Sequence, residues 1–396
     1  MKKFVVDTDL YWTLPGPRRF ISRVAGYAAC SRILCINLPL DLMPGTWEGV
    51  KKGLTDAHVG NVFDLIIRGG TDIAADIGVH FDRSRVTAEQ LAGMTAEQPT
   101  AIILRSMGEE ARHNCECYAH EFMNAIGSVK GNTHLVIGFN EPDLRADQHN
   151  AGIQVVVFDG SLTYDEMDAY VALRMLNHMG PGSTRLTRMI VSEFAGHDVD
   201  FAERLMWLDE SHIVNIIDQL PVMMGDDQER WRTRSWLHRT ESVANANSPH
   251  VLHDRFLMEH AGSPEEKEGA RKRIEQRYWR ACVKAMTPWL EERRMRVVSF
   301  FDDQIYEIAK QHDGKIPRPQ GDRTIYSDPE ELEYNNIVGM YFKGILEART
   351  QPQRDAIAIC KTAKSVRDDI AHLRMPNSED IMGLVRKMDQ LLGVEG

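Results

Sequence analysis

Short apolar runs alternate with longer amphipathic stretches over the first 160 residues. The runs predict strands at 11–14 (YWTL), 32–38 (RILCINL), 101–105 (AIILR), 134–139 (HLVIGF) and 153–160 (IQVVVFDG). Between them, helical spacing predicts helices over 17–30, 46–56 and 107–127. In the last, Met107, Ala111, Cys115, Tyr118 and Phe122 recur at steps of four, four, three and four. Strands rich in Ile, Leu and Val, separated by helices, are the pattern of a parallel sheet covered on both faces. The stretch 57–98 is less regular and shows chiefly a turn signal, RGGTD.

From Thr163 the period becomes helical. Thr163 is placed to cap TYDEMDAYVALRMLNHM, with Asp165 and Glu166 in a first turn where acids oppose the positive helix end. Further helices are predicted at 183–195, 198–208 and 210–219, then a polar, His-rich connector over 221–263. A long helix, or two in line, follows from 264 to 312, with a kink expected at Pro288. The loop DGKIPRPQGDRTIYSD leads to helices near 328–349, 352–374 and 378–392. The expected organisation is an α/β domain (1–160), a helical lid (161–220), the connector (221–263) and an all-helical domain (264–396).

Composition adds limits. With 396 residues, 43% hydrophobic and 27% charged, the chain can bury more than one core. No run approaches eighteen apolar residues, so no membrane partner is expected. Asp7 and Asp9 interrupt the opening MKKFVVDTDLYW, which argues against a secretory signal. Six cysteines without a framework spacing suggest reduced thiols and a cytoplasmic location. A net charge of −11 argues against coating nucleic acid by bulk electrostatics.

The order strand, Gly/Pro turn (LPGPRRFISR), helix, strand, then AIILRSMGEE, HLVIGFNEPD and FDGSLTYDEMDAYVALRM resembles AAA-type and STAND-type P-loop NTPases over roughly residues 8–210. That resemblance puts a phosphate loop at 15–19, a magnesium-binding acid at Arg105 and a sensor residue at Asn140. The chemistry departs from it. A phosphate loop needs glycines for close amide approach, a lysine for the phosphates and a hydroxyl for magnesium. Arg18 and Arg19 stand where the lysine and hydroxyl would be, and Arg105 would repel the metal. The resemblance therefore implies an inactive STAND-like module with no cofactor and no metal. Arg18, Arg19 and Asn140 are what remains of a degenerate nucleotide site. At a helix N-terminus, Arg18 and Arg19 could grip an anion or simply be solvated.

Two other features carry candidate chemistry. His113, Cys117 and His120 share one face of the 107–127 helix and could ligate zinc, but a matching second Cys/His pair is missing, which favours a polar outer face. Trp279 and Trp289 read as core aromatics rather than base-stacking platforms.

The second feature is KSVRDDIAHLRMPNSED. Asp368 and His372 lie four apart on one helix face, where the carboxylate can orient the imidazole and favour its charged form. RDDIAH has the R-[N/D/H]-x-x-x-H form of HEPN domains, and the helices around it resemble that helical unit as fused to STAND-like modules in bacterial defence systems. The resemblance implies metal-independent RNA cleavage, with Arg367 stabilising the phosphorane, His372 moving protons and Asp368 orienting it, across a dimer. The same residues can equally pin the last two helices together.

The resulting expectation is a non-catalytic regulatory or scaffolding subunit of a bacterial defence system, with protein partners from the same system and dimerisation through the helical tail. The alternative is a HEPN-type endoribonuclease, with RNA as its partner, controlled by the first domain.

Overall fold

Asp7 caps the first helix: its carboxylate accepts the Leu10 amide at 3.0 Å and starts α1, Thr8–Thr13. A strand was expected at 11–14. In the computed structural model this segment is helical, and Tyr11 is fully buried with its hydroxyl donating to Gly160 O at 2.8 Å. The aromatic and Thr content of YWTL favours a strand locally, but the Asp7 cap and the burial of one helical face decide otherwise. The structure describes residues 5–39, 42–140, 153–178, 185–225, 250–320 and 323–393.

Next come α2 (Pro15–Cys30), β1 (Ile33–Leu38), α3 (Thr46–Asp56), β2 (Asn61–Arg68), α4 (Ile73–Val79), α5 (Ala88–Gly93), β3 (Thr100–Met107), α6 (Glu109–Ile126), β4 (Thr133–Asn140) and β5 (Gln154–Val157). The five strands form one sheet in the order β2-β3-β4-β1-β5, every pair parallel. β1 is buried along its whole length, as its run of apolar residues predicts. β2 falls in the stretch whose pattern is irregular, and most of its side chains are only partly covered, because it is an edge strand.

One face of the sheet is covered by α4, α5 and α6, with Ile33, Cys35, Leu104, Ile137 and Phe139 meeting Cys115, Tyr118 and Phe122. The other face carries α2 and α3. These two helices approach closely at Gly53, where a Cβ would lie 2.8 Å from Val24 Cγ1. Phe20 of α2 stacks on Phe158 just after β5, with ring centroids 4.2 Å apart. A parallel α/β sheet with helices on both faces and many further helices is therefore the architecture of the described residues.

The remaining elements are α7 (Tyr164–His178), α8 (Arg185–Ala195), α9 (Val199–Met206), α10 (Glu210–Val214), α11 (Ile216–Met224), α12 (Val251–His260), α13 (Pro264–Val298), α14 (Asp302–Gln311), β6 (Ile316–Gln320), β7 (Arg323–Ser327), α15 (Tyr334–Phe342), α16 (Gln351–Ala371) and α17 (Ser378–Leu392). α13 continues through Pro288, and the break before α14 is a short 3-10 turn at Ser299–Phe301. The segment read as a loop after residue 312 contains an antiparallel hairpin of β6 and β7, and residues 321–322 lie outside the described residues.

Contacts divide the chain into two compact units. The first comprises Met1–Tyr170, Ala195–Arg204 and Met224–Phe256; the second comprises Val171–Phe194, Leu205–Met223 and Leu257–Gly396. The segment 161–220 contributes to both. In the second unit, Glu193 is buried and meets Arg280 at 2.8 Å and Lys284 at 2.7 Å, tying α8 to α13. Among the described residues, no helix is long and apolar enough to cross a membrane.

Candidate functional site

A phosphate loop joins a strand to the helix that follows it. With 8–13 helical, residues 15–19 open α2 directly after α1 and do not follow a strand. The strand-to-helix connection lies instead between β1 and α3, in LPLDLMPGTWEG, of which residues 40 and 41 lie outside the described residues. Gly45 there has φ +82°, a left-handed conformation that glycine adopts freely. A Cβ at Gly45 would lie 2.5 Å from Trp12 Nε1, and the same nitrogen donates to Pro44 O at 2.9 Å. The Trp12 indole therefore covers this connection.

The described residues of this connection are engaged within the chain itself. Lysine is absent between Gly45 and Trp47. The Thr46 hydroxyl is buried and donates to Met43 O at 2.6 Å, so it is engaged within its own turn. Trp47 follows and lies across β4, where a Cβ at Gly138 would sit 2.1 Å from its ring. Arg105 of β3 stacks over the same ring at 5.2 Å. Its charge is met by Asp64 of β2 at 2.7 Å, and Asp64 also meets Lys51 of α3 at 2.9 Å. The carboxyl ends of adjacent strands are where parallel sheets bind ligands. Near that level Arg105 of β3 lies over the Trp47 indole of α3, which itself rests on Gly138 of β4.

The turn at 15–19 has a different design. Pro15 and Pro17 have no amide hydrogen, and Arg18 N–H already bonds Leu14 O at 3.0 Å. Only Gly16 N–H remains free for an anion at the start of α2, and Glu166 Oε1 accepts it. The other oxygen, Oε2, accepts from the amide and the hydroxyl of Thr163, both at 2.9 Å. Glu166 N–H returns a long bond of 3.4 Å to the Thr163 hydroxyl, which completes the expected cap of α7. Arg19 reaches the same carboxylate at 3.6 Å. One buried glutamate thus serves two helix N-termini and faces Arg19. Arg18 lines a cleft of about 650 Å³ with Trp12, Glu48 and Lys52. Asn140 ends β4 opposite Leu38 of β1, bordering residues 141–152, which lie outside the described residues.

On α6, His113 Nε2 lies 3.7 Å from Cys117 Sγ. Among the described residues no three His, Cys, Asp or Glu side chains come together in a metal-binding group. Burial pushes the Cys115 thiol up to about 12, as expected of a small core hydrophobe.

In the second unit, Arg367 on α16 forks onto the Glu333 carboxylate, with Nη1 on Oε2 and Nη2 on Oε1 at 2.9 Å. This pairing raises the arginine and lowers the Glu333 carboxyl. Asp368 meets Lys364 at 3.5 Å, one turn away from the imidazole. His372 is the C-cap of α16, exposed, with its amide bonded to Asp368 O. Trp279 Nε1 donates to Ile370 O at 2.9 Å and pins α16 to α13.

Sequence reasoning missed Gly45, Trp47 and the second role of Glu166. A strand followed by PGTW was visible in the sequence. The Glu166 contact spans 150 positions and leaves no local signal.

No protein-family model and no curated protein matches the chain. Among solved structures, the DNA clamp loader delta protein of Bacillus subtilis is similar at a TM-score of 0.24 and 11% identity, covering 94% of this chain and 98% of that one.

Proposed function

We propose that the protein is a non-catalytic regulatory or scaffolding subunit of a multi-protein assembly, and that its α/β unit does not turn over nucleotide. The observation that carries this reading is the Trp47–Arg105 pair at the ends of β3 and β4. Triphosphate hydrolysis needs a lysine on the phosphates and an acid on magnesium at such a place. An indole stacked with a guanidinium supplies neither. The placement in a bacterial defence system rests on the resemblance of RDDIAH and its neighbouring helices to HEPN units, and the helical second unit is the part proposed to contact partners or dimerise.

The decisive experiment incubates the full chain with Mg²⁺ and labelled ATP, following both retention in equilibrium dialysis and phosphate release. Neither is expected above background. Release of phosphate that disappears in an Arg105→Ala or Trp47→Ala variant would sink the reading. RNA incubated with wild type and His372→Ala, with and without EDTA, tests the nuclease alternative. The scaffold reading expects no cleavage that depends on His372.

A further inference from the structure

The second unit holds a cleft of about 360 Å³ beside the C-terminal end of α16, within the usual range of ~300–1,000 Å³ for small-ligand pockets. Ile217 and Pro376 give it apolar walls, Asp218 and Asp369 give it carboxylates, and Asn215 adds an amide. Tyr278 of α13 also lines it. That side chain is 2% exposed, and its hydroxyl has no hydrogen-bond partner among the described residues. Burial raises the phenol well above its ordinary range, so it stays neutral and can both donate and accept. A buried polar group left unpaired is costly and uncommon in a folded protein.

The charged side chains lining the cleft are Asp218 and Asp369, and among the described residues no basic side chain lines it. Arg374 lies nearby and is bonded through Nε to one oxygen of Asp369 at 2.9 Å. The carbonyl end of α16, a helix of 21 residues, adds the negative pole of its dipole. The adjacent start of α17 is not open to an anion, because Asn377 Oδ1 already accepts the amides of Glu379 and Asp380 at 2.8 and 3.2 Å. The Ser378 hydroxyl likewise bonds Asn215 Oδ1 at 2.6 Å.

We propose that this cleft binds an alkylguanidinium or alkylammonium group, with Asp218 and Asp369 on the charged head, Ile217 and Pro376 along the stem, and the Tyr278 hydroxyl gaining the partner it lacks. The same chemistry can arrive as a free small amine or as an arginine side chain of another protein. The proposal stands independently of the nucleotide reading of the first unit.

The test titrates the full chain by calorimetry with agmatine, with n-butanol as a neutral analogue, and with a short arginine-containing peptide beside its glutamine counterpart. Agmatine or the arginine peptide is expected to saturate one site, and the neutral probes are not. The tighter of the two cationic probes identifies the source. Asp218 is exposed, so Asp218→Asn leaves the fold intact and is expected to weaken binding about tenfold, the ratio that one hydrogen bond to a charged group is worth. Tyr278→Phe removes an unpaired hydroxyl at constant ring volume. It is expected to raise the thermal midpoint of the free protein while weakening agmatine severalfold. Absence of saturable binding, equal binding of the neutral probes, or unchanged affinity in both variants overturns the proposal.

Discussion

The Gly16 amide donates to Glu166 Oε1, so the sole free amide hydrogen in the opening turn of α2 is taken by the chain's own carboxylate. Glu166 is 7% exposed, and its second oxygen closes the cap of α7. Glu166→Ala is expected to destabilise the protein by about 1–3 kcal/mol, because it leaves buried donors without acceptors. Glu166→Gln keeps an acceptor for Gly16 and should cost less. Urea unfolding of both variants checks the order, and neither should release phosphate from ATP.

The contact of Trp47 with Gly138 makes a sharper forecast. Gly138 lies inside β4, between β3 and β1, so its backbone cannot retreat from the ring. Gly138→Ala should cost about 1–3 kcal/mol through overpacking. Combining it with Trp47→Leu should recover part of that loss, so the double mutant is more stable than the sum of the singles. Denaturant midpoints of the three variants measure the coupling.

Arg367 and Glu333 set a pH dependence. The hydrogen bond from Arg367 is the main cause that holds the Glu333 carboxyl below its ordinary value of 4.5. A carboxyl depressed in the folded state stabilises the fold above its unfolded pKa. That contribution is lost as pH falls through the lower folded value. Both side chains are more than a third exposed, so the effect is a screened, small one. Arg367→Ala should lower stability slightly at pH 7 and leave it unchanged at the acid end, which flattens the fall below pH 4.5, as read by thermal midpoints across pH 3–7.

Thiol reactivity should split along burial. Cys30 and Cys117 are exposed, while Cys35, Cys115, Cys282 and Cys360 are buried. Burial pushes Cys115, Cys282 and Cys360 up to about 12, so the thiolate that reacts is scarce near neutral pH. Iodoacetamide on the native protein should modify Cys30 and Cys117 promptly, with the other four following only on unfolding. Peptide mass mapping over time checks it.

Much of the α/β unit was legible in the sequence because its inner strands are continuous apolar runs. β1, β3 and β4 lie within a residue or two of their expected limits, and so do α3 and α6. The misreadings share a cause. YWTL has strand-forming side chains, yet its cap and buried face are helical. NVFDLIIR, at a sheet edge, has no clean period because few of its positions are buried. β6 contains Pro317 and Pro319, which mark it as a loop by composition even though two-stranded pairing tolerates them. Taking 11–14 as the first strand displaced the expected phosphate loop from the β1–α3 connection to the turn before α2. The site contacts were harder to see, since Glu166 with Gly16 and Trp47 with Gly138 join positions far apart in the chain.

The indole of Trp47 also limits which substitutions its surroundings accept. The space over Gly138 is already filled by a ring that also meets Arg105. Removing that ring would strip Arg105 of its stacking partner and leave it held mainly by Asp64. An acid at position 105 would in turn face Asp64 with like charge. Each such change therefore undoes a contact that another residue depends on, so Trp47, Gly138, Arg105 and Asp64 are constrained to change together.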